Sequence, residues 1–140
     1  MLLDKEQFPS VALQSMNAVH HEEIDLINEI AALVKRKSGG EDVQATLNSA
    51  LETFLSHVRE HFASEEALMV KHQFTPYPVH KQEHDRVLNE LQGLYDQFKA
   101  TSNSEALENY IFTVIPGWMA QHVATMDFVT ARFLAHYLEE

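Results

Sequence analysis

The chain contains no cysteine. That excludes disulfide frameworks, thiolate zinc sites, thiolate-held iron–sulfur clusters and cysteine nucleophiles together, and it fits a reducing cytoplasm. No uninterrupted run of 18 apolar residues exists, so the sequence predicts no membrane span. The first residues, Met1-Leu2-Leu3-Asp4-Lys5-Glu6-Gln7, lack a basic stretch followed by a long apolar one, and no secretory leader is read there. Basic residues are scarce: 10 Lys and Arg stand against 21 Asp and Glu, a net charge of −11. Such a surface repels nucleic acid and anionic lipid and keeps a monomer soluble. Phosphate-binding glycine loops and a GxSxG nucleophile motif are also missing.

What is present fits one domain spanning residues 1–140, long enough for a real core. Residues 1–13 read as an N-terminal arm containing Pro9, and 14–138 as the helical body. A first helical pattern runs from about Gln14 to Lys37 and stops at Ser38-Gly39-Gly40. A second runs from about Glu41 to His72, before Thr75-Pro76-Tyr77-Pro78. A third runs from about Pro78 to Ala100, and a fourth from about Glu105 to Tyr137. Each carries a core stripe at steps of three and four. The stripes are Met16, His20, Glu23, Ile27, Ile30, Val34; then Leu47, Leu51, Phe54, Val58, His61, Glu65, Leu68. The third is His80, His84, Val87, Leu91, Leu94, Phe98. The fourth is Leu107, Ile111, Val114, Trp118, His122, Met126, Val129, Phe133. Four such helices joined by short turns predict an all-α, up-down-up-down antiparallel four-helix bundle. Pro116-Gly117 should kink or split the fourth.

Nine histidines are many for this length, and five of them lie on those stripes. His61 and Glu65, and likewise His80 and His84, are four residues apart and project from one helix face. His20 and His122 lie on the seams of the other two helices. A single histidine on such a seam is usually a hydrogen-bonded core residue. Five on matching seams aim imidazole from all four helices at one region. Imidazole with carboxylate suits iron, zinc, copper or nickel. Five imidazoles with two bridging carboxylates exceed what one zinc needs and are most natural for a di-iron or di-manganese pair. The second carboxylate is less evident. Asp127 follows His122 by five residues, about 140° around an α-helix, and spacing alone does not select it over Asp85 or Glu83.

Four segments together resemble the single-domain hemerythrins of bacteria, the bacteriohemerythrins. They are His20-His21-Glu22-Glu23-Ile24-Asp25-Leu26-Ile27-Asn28, His61-Phe62-Ala63-Ser64-Glu65-Glu66-Ala67-Leu68-Met69, Tyr77-Pro78-Val79-His80-Lys81-Gln82-Glu83-His84-Asp85, and Trp118-Met119-Ala120-Gln121-His122-Val123-Ala124-Thr125-Met126-Asp127. The resemblance covers roughly residues 14–135. It implies a non-haem centre of two iron ions with an oxo or hydroxo bridge. His80, His84 and His122 would hold one iron and His20 and His61 the other, with Glu65 and Asp127 bridging. The second iron would keep an open position for dioxygen, the expected partner. Ile24, Ile27, Phe62, Leu88 and Trp118 are expected to wall the oxygen pocket as well as fill the core.

Two residues depart from the family pattern. Glu23 stands where the family is usually apolar. It is expected to reach the oxygen pocket, as an extra ligand or a partner of bound oxygen, or else to turn outward beside Glu22, or to pair with Lys81 or Arg86. His57, one turn before His61, is open to three roles: a hydrogen bond behind a ligand, an extra ligand, or a surface residue. His21 and His136 are expected on the surface, and His72 at a helix C-terminus, where the dipole favours it. Phe8 is expected to pack the arm in place of the family's tryptophan. The function implied is oxygen carriage, storage or delivery by a binding protein rather than an enzyme. The alternative is an oxygen or redox sensor, or a di-iron protein with weak oxidase or peroxidase chemistry modified by Glu23.

Overall fold

A computed structural model describes all 140 residues, and every regular element is helical. After a short 3-10 turn at Lys5–Gln7 come α1 (Gln14–Ser38), α2 (Gln44–Lys71) and α3 (Tyr77–Thr101). A fourth helical run, α4, occupies 105–134. The connections 39–43, 72–76 and 102–104 are too short for anything but antiparallel neighbours, and the result is an up-down-up-down four-helix bundle. Gly40 takes φ +94°, the left-handed conformation that lets the chain leave α1. Pro78 sits in the first turn of α3, where its missing N–H costs nothing. No helix is long and apolar enough to cross a membrane.

The core is one apolar cluster running the length of the bundle, centred on Ile24, Ile27, Ile30, Leu47, Phe98, Ile111 and Leu134. The stripes expected for α1, α2 and α3 face it; Leu68 and Leu94, near the ends of theirs, are half-buried. The stripe expected for α4 holds only in part: Leu107, Ile111 and His122 are buried and Trp118, Met126 and Phe133 half-buried, but Val114 and Val129 are exposed. Ile115, Met119, Asp127, Thr130 and Leu134, outside that stripe, are buried. The buried face has moved one residue along from the α-helical register.

The cause is two π-helical turns, Tyr110–Val114 and Val123–Asp127. In the first, the Ile115 N–H donates to Tyr110 O; in the second, the Phe128 N–H donates to Val123 O, each spanning five residues. The first lies immediately before Pro116, which lacks the N–H that an unbroken α-helix requires there. The proline therefore neither splits nor ends the helix; a wider turn absorbs it.

Two asparagines on α1 pin the arm. Asn17 Nδ2 donates to Val11 O (3.0 Å) and its Oδ1 accepts from Val11 N (2.8 Å). Asn28 makes the same pair with Leu3, at 2.9 and 2.8 Å. Leu2, Leu3 and Phe8 pack against the core, so Phe8 does fill the arm's apolar contact. Each buried backbone group left without a partner costs about 1–3 kcal/mol. Asn17→Ala, which orphans both groups of buried Val11, should therefore destabilise by about 2–3 kcal/mol in denaturant unfolding. Asn28→Ala, beneath the half-exposed Leu3, should cost less and expose the arm to protease. Equal costs would contradict this assignment.

Candidate metal centre

The expected ligands converge. His20 comes from α1, His61 and Glu65 from α2, His80 and His84 from α3, and His122 and Asp127 from α4, and all seven are buried. Two groups of donors form within the bundle, His80–His84–His122–Asp127 and His20–His61–Glu65–Asp127. The carboxylates stand between them. Glu65 Oε2 lies 2.5 Å from His61 Nε2, while its Oε1 lies 3.6 Å from His80 Nε2 and 3.4 Å from His84 Nε2. Asp127 Oδ2 lies 3.1 Å from His20 Nε2, while its Oδ1 lies 3.2 Å from both His80 Nε2 and His122 Nε2. Each carboxylate thus offers one oxygen to the two-histidine side and one to the three-histidine side.

The position of Asp127 follows from the second π turn. Five residues on an α-helix overshoot one turn by about 140°. A turn closed by a five-residue hydrogen bond brings residue 127 back over 122. Neither Asp85 nor Glu83 competes: Asp85 is exposed and bound by Lys81, and Glu83 pairs with Arg86.

The donor atoms fit a metal. Among buried side-chain atoms without a hydrogen-bond partner are both nitrogens of His20, His84 Nε2, Glu65 Oε1 and both oxygens of Asp127. Native cores rarely leave such atoms unsatisfied. Here they point at one another, the arrangement that cations between them would resolve. Burial alone would raise Asp127, but His122, His20 and His80 around it outweigh that and hold it well below the usual carboxylate range. Glu65 is pushed up by burial and by Asp127, yet His61 brings it below its ordinary value overall.

Behind the ligands lies a second set of contacts. His80 Nδ1 meets Thr130 Oγ1 at 2.9 Å, His84 Nδ1 meets Glu66 at 2.9 Å, and His61 Nδ1 meets Glu23 Oε1 at 2.6 Å. Such contacts fix the ring and its tautomer with Nε2 turned toward the converging carboxylates. Phe62 stacks on His84 at 3.8 Å and Trp118 on His122 at 4.7 Å. Thr130 and Glu66 carry no motif of their own. Only a spatial register, three residues beyond Asp127 and one beyond Glu65, distinguishes them.

Glu23 is buried and engaged by His61, so the outward pairing with Lys81 or Arg86 does not occur. Lys81 binds Asp85 and Glu66, and Arg86 binds Glu83 and Glu90. His57 is not among the converging donors. Its Nε2 lies 2.9 Å from Glu22 and its Nδ1 3.6 Å from Glu23. His21 and His136 are exposed, and His72 caps α2 and stacks on Tyr137.

A cavity of about 20 Å³ lies against His20, Glu23, His61, His122 and Asp127. Roughly 10–15 Å³ holds one water-sized molecule. Ile27, Phe62 and Trp118 are on its wall, with Phe54, Val58, Val87, Leu91, Ile115, Met119 and Val123. Ile24 and Leu88 are not: Ile24 is buried elsewhere in the core and Leu88 is half-buried against it.

Comparison with known proteins agrees with this geometry. The family model described as "Hemerythrin HHE cation binding domain" matches residues 11–134. The Bacteriohemerythrin of Aquifex aeolicus is 31% identical over 134 residues, 96% of this chain and 98% of that protein. The Bacteriohemerythrin of Ralstonia nicotianae is 37% identical over 92 residues, 66% of each chain. The Myohemerythrin of Sipunculus nudus is 30% identical over 78 residues, 56% of this chain and 58% of its own. No solved structure matches significantly.

The ion pairs set a pH dependence for the metal-free protein. Burial raises Glu23, but His61 and His57 outweigh it and hold it at about 2, against an ordinary 4.5. Its stabilisation is complete above 4.5 and is lost as pH falls toward 2. His61 is lowered by burial but raised more by Glu23 and Glu65, ending well above 6.5. Its stabilisation is complete below 6.5 and is lost as pH rises through that elevated value. Metal-free protein should therefore be most stable between about 4.5 and 6.5. A metal must displace the His61 proton, so the gain in Tm on anaerobic Fe²⁺ loading should grow from about pH 5 to about pH 8. Calorimetry with and without Fe²⁺ tests this, and a gain that stays flat with pH would contradict it.

Proposed function

The chain belongs to the hemerythrin family, and from that premise we propose that it holds two iron ions in the bundle core and binds dioxygen reversibly. His80, His84 and His122 would hold one ion, His20 and His61 the other, with Glu65 and Asp127 spanning both. The observation that carries this reading is an asymmetry. Three histidines serve one side and two the other, and the small apolar cavity lies against both histidines of the poorer side but only one, His122, of the richer. Ferrous iron, when bound, would supply the electrons and the affinity for dioxygen.

The chain's own residues do the rest. The two carboxylates would offset half of the positive charge of two divalent ions, and the imidazoles would share in satisfying the rest, which makes burial tolerable. Phe54, Val58, Phe62 and Trp118 keep the cavity apolar and slow the entry of water and protons, favouring release of oxygen over oxidation of the metal. Outside the ligands, the cavity wall contains one acidic group, Glu23, and His61 engages it. That favours binding over turnover. A second reading, a redox-responsive protein, draws on the same Glu23.

Protein loaded anaerobically with Fe²⁺ should develop a visible charge-transfer band on exposure to oxygen and lose it when oxygen is removed. Direct conversion to a stable ferric spectrum would overturn reversible carriage and favour the second reading. Val58→Phe, which fills the cavity, should retain two irons at a stability cost of about 1–3 kcal/mol and lose the oxygen-dependent band. A normal band in that variant would place oxygen elsewhere.

A further inference from the structure

The five ligand imidazoles differ in what stands behind them. His80 is backed by the neutral Thr130 hydroxyl. His84 is backed by Glu66, whose carboxylate is 19% exposed and lies 3.7 Å from Lys81. His20 Nδ1 is buried without a partner. His61 alone is backed by a carboxylate both buried and free of any lysine or arginine: Glu23 is 7% exposed, and its ion-pair contacts are His61 and His57. His57 is itself held by Glu22, so the chain Glu22–His57–Glu23–His61 runs from the surface to a metal ligand.

A carboxylate at 2.6 Å from Nδ1 draws the imidazole proton toward itself and makes Nε2 a stronger donor. Burial magnifies the effect, since little solvent screens the charge. A stronger, more negative donor set favours the ion of higher charge. We propose that Glu23 is a positioning residue that acts through His61 to stabilise the ferric state at the two-histidine side, lowering the reduction potential of that iron. The proposal rests on the two-iron reading above. It differs from the expectation that Glu23 meets oxygen or iron directly, because its nearest partner is the nitrogen of His61 facing away from the metal. His57 Nδ1 stands 3.6 Å from the same carboxylate oxygen, beyond hydrogen-bond distance.

The test is an anaerobic redox titration of iron-loaded wild type, Glu23→Gln and Glu66→Gln, with iron content measured on each. Glutamine keeps the size of the side chain and an acceptor oxygen but removes the charge. Glu23→Gln should titrate at a higher potential than wild type. Glu66→Gln should shift less, because Lys81 already offsets that charge. The affinity of the two-histidine side for iron should also fall by about 10–100-fold. Should Glu23→Gln retain fewer than two irons, Glu23→Asp replaces it, since the shorter side chain withdraws the charge from Nδ1. Its potential should also lie above that of wild type. An unchanged potential in a fully loaded variant would overturn the proposal alone, as would a larger shift for Glu66→Gln. Wild-type protein that takes up fewer than two irons would overturn the functional reading and this proposal with it.

Discussion

Two carboxylates shared between two sets of imidazoles, deep in an apolar bundle, are the constraint around which the rest is arranged. Glu65 and Asp127 are nearly inaccessible, and Asp127 is close enough to raise the proton affinity of Glu65. Hydrogen bonding among the parts of this core is incomplete, as the orphaned atoms of His20, His84, Glu65 and Asp127 show. Buried charge is tolerated when it is paired, and the pairing available here is between carboxylate and imidazole until a cation enters. The apolar residues on either side, from Ile30 and Phe98 at one end to Met69 and Leu134 at the other, hold the four helices against that cost. The two groups of donors together draw on all four helices, so ions bound in both would link the whole bundle and couple metal binding to folding.

The bundle was legible because three of its helices obey the α-helical period. On α1, α2 and α3 the apolar steps and the ligand steps are the same steps, so His61 with Glu65 and His80 with His84 could be placed on the core face directly. The fourth helix was legible as a helix but not in register. Its apolar residues permit two readings one residue apart, Val114–Trp118–Met126–Val129 and Ile115–Met119–Asp127–Thr130, and the apolar pattern favours the first. The second wins because the π turn before Pro116 inserts an extra residue into the turn. The proline was visible in the sequence; how the backbone would absorb it was not. The same ambiguity hid Asp127, whose five-residue distance from His122 is out of phase on an α-helix and in phase on a π turn. A spacing that looked like weak evidence for a ligand was the imprint of the backbone conformation that brings Asp127 among the histidines.

The residues behind the ligands were the least legible. Nothing in the sequence sets Thr130 apart from other threonines, or Glu66 from the acidic residues around it. Their positions depend on helix rotation to within a fraction of a turn, which periodicity does not fix. Glu23 was the exception, visible because an acidic residue interrupted an apolar stripe. Its neighbourhood was legible; its partner was not. Proximity to the oxygen pocket suggested contact with oxygen or iron, while the packing of α1 on α2 directs the carboxylate to His61 Nδ1.

That difference matters for how such a centre is tuned. A carboxylate that entered the open coordination position would compete with oxygen and abolish binding outright. One that acts through an imidazole leaves the position open and changes the electronic character of the ligand. The cavity wall then stays predominantly apolar, which resists water, while a negative charge sits one imidazole away from the proposed metal position. In the proposed centre these two features would push in opposite directions: the apolar wall would favour the ferrous, oxygen-binding state and the buried charge the ferric one. A neutral leucine at the same position would leave the first unopposed. The balance would then be set by a side chain on α1 that reaches the metal only through a histidine on α2, which would make α1–α2 packing part of the chemistry of the centre.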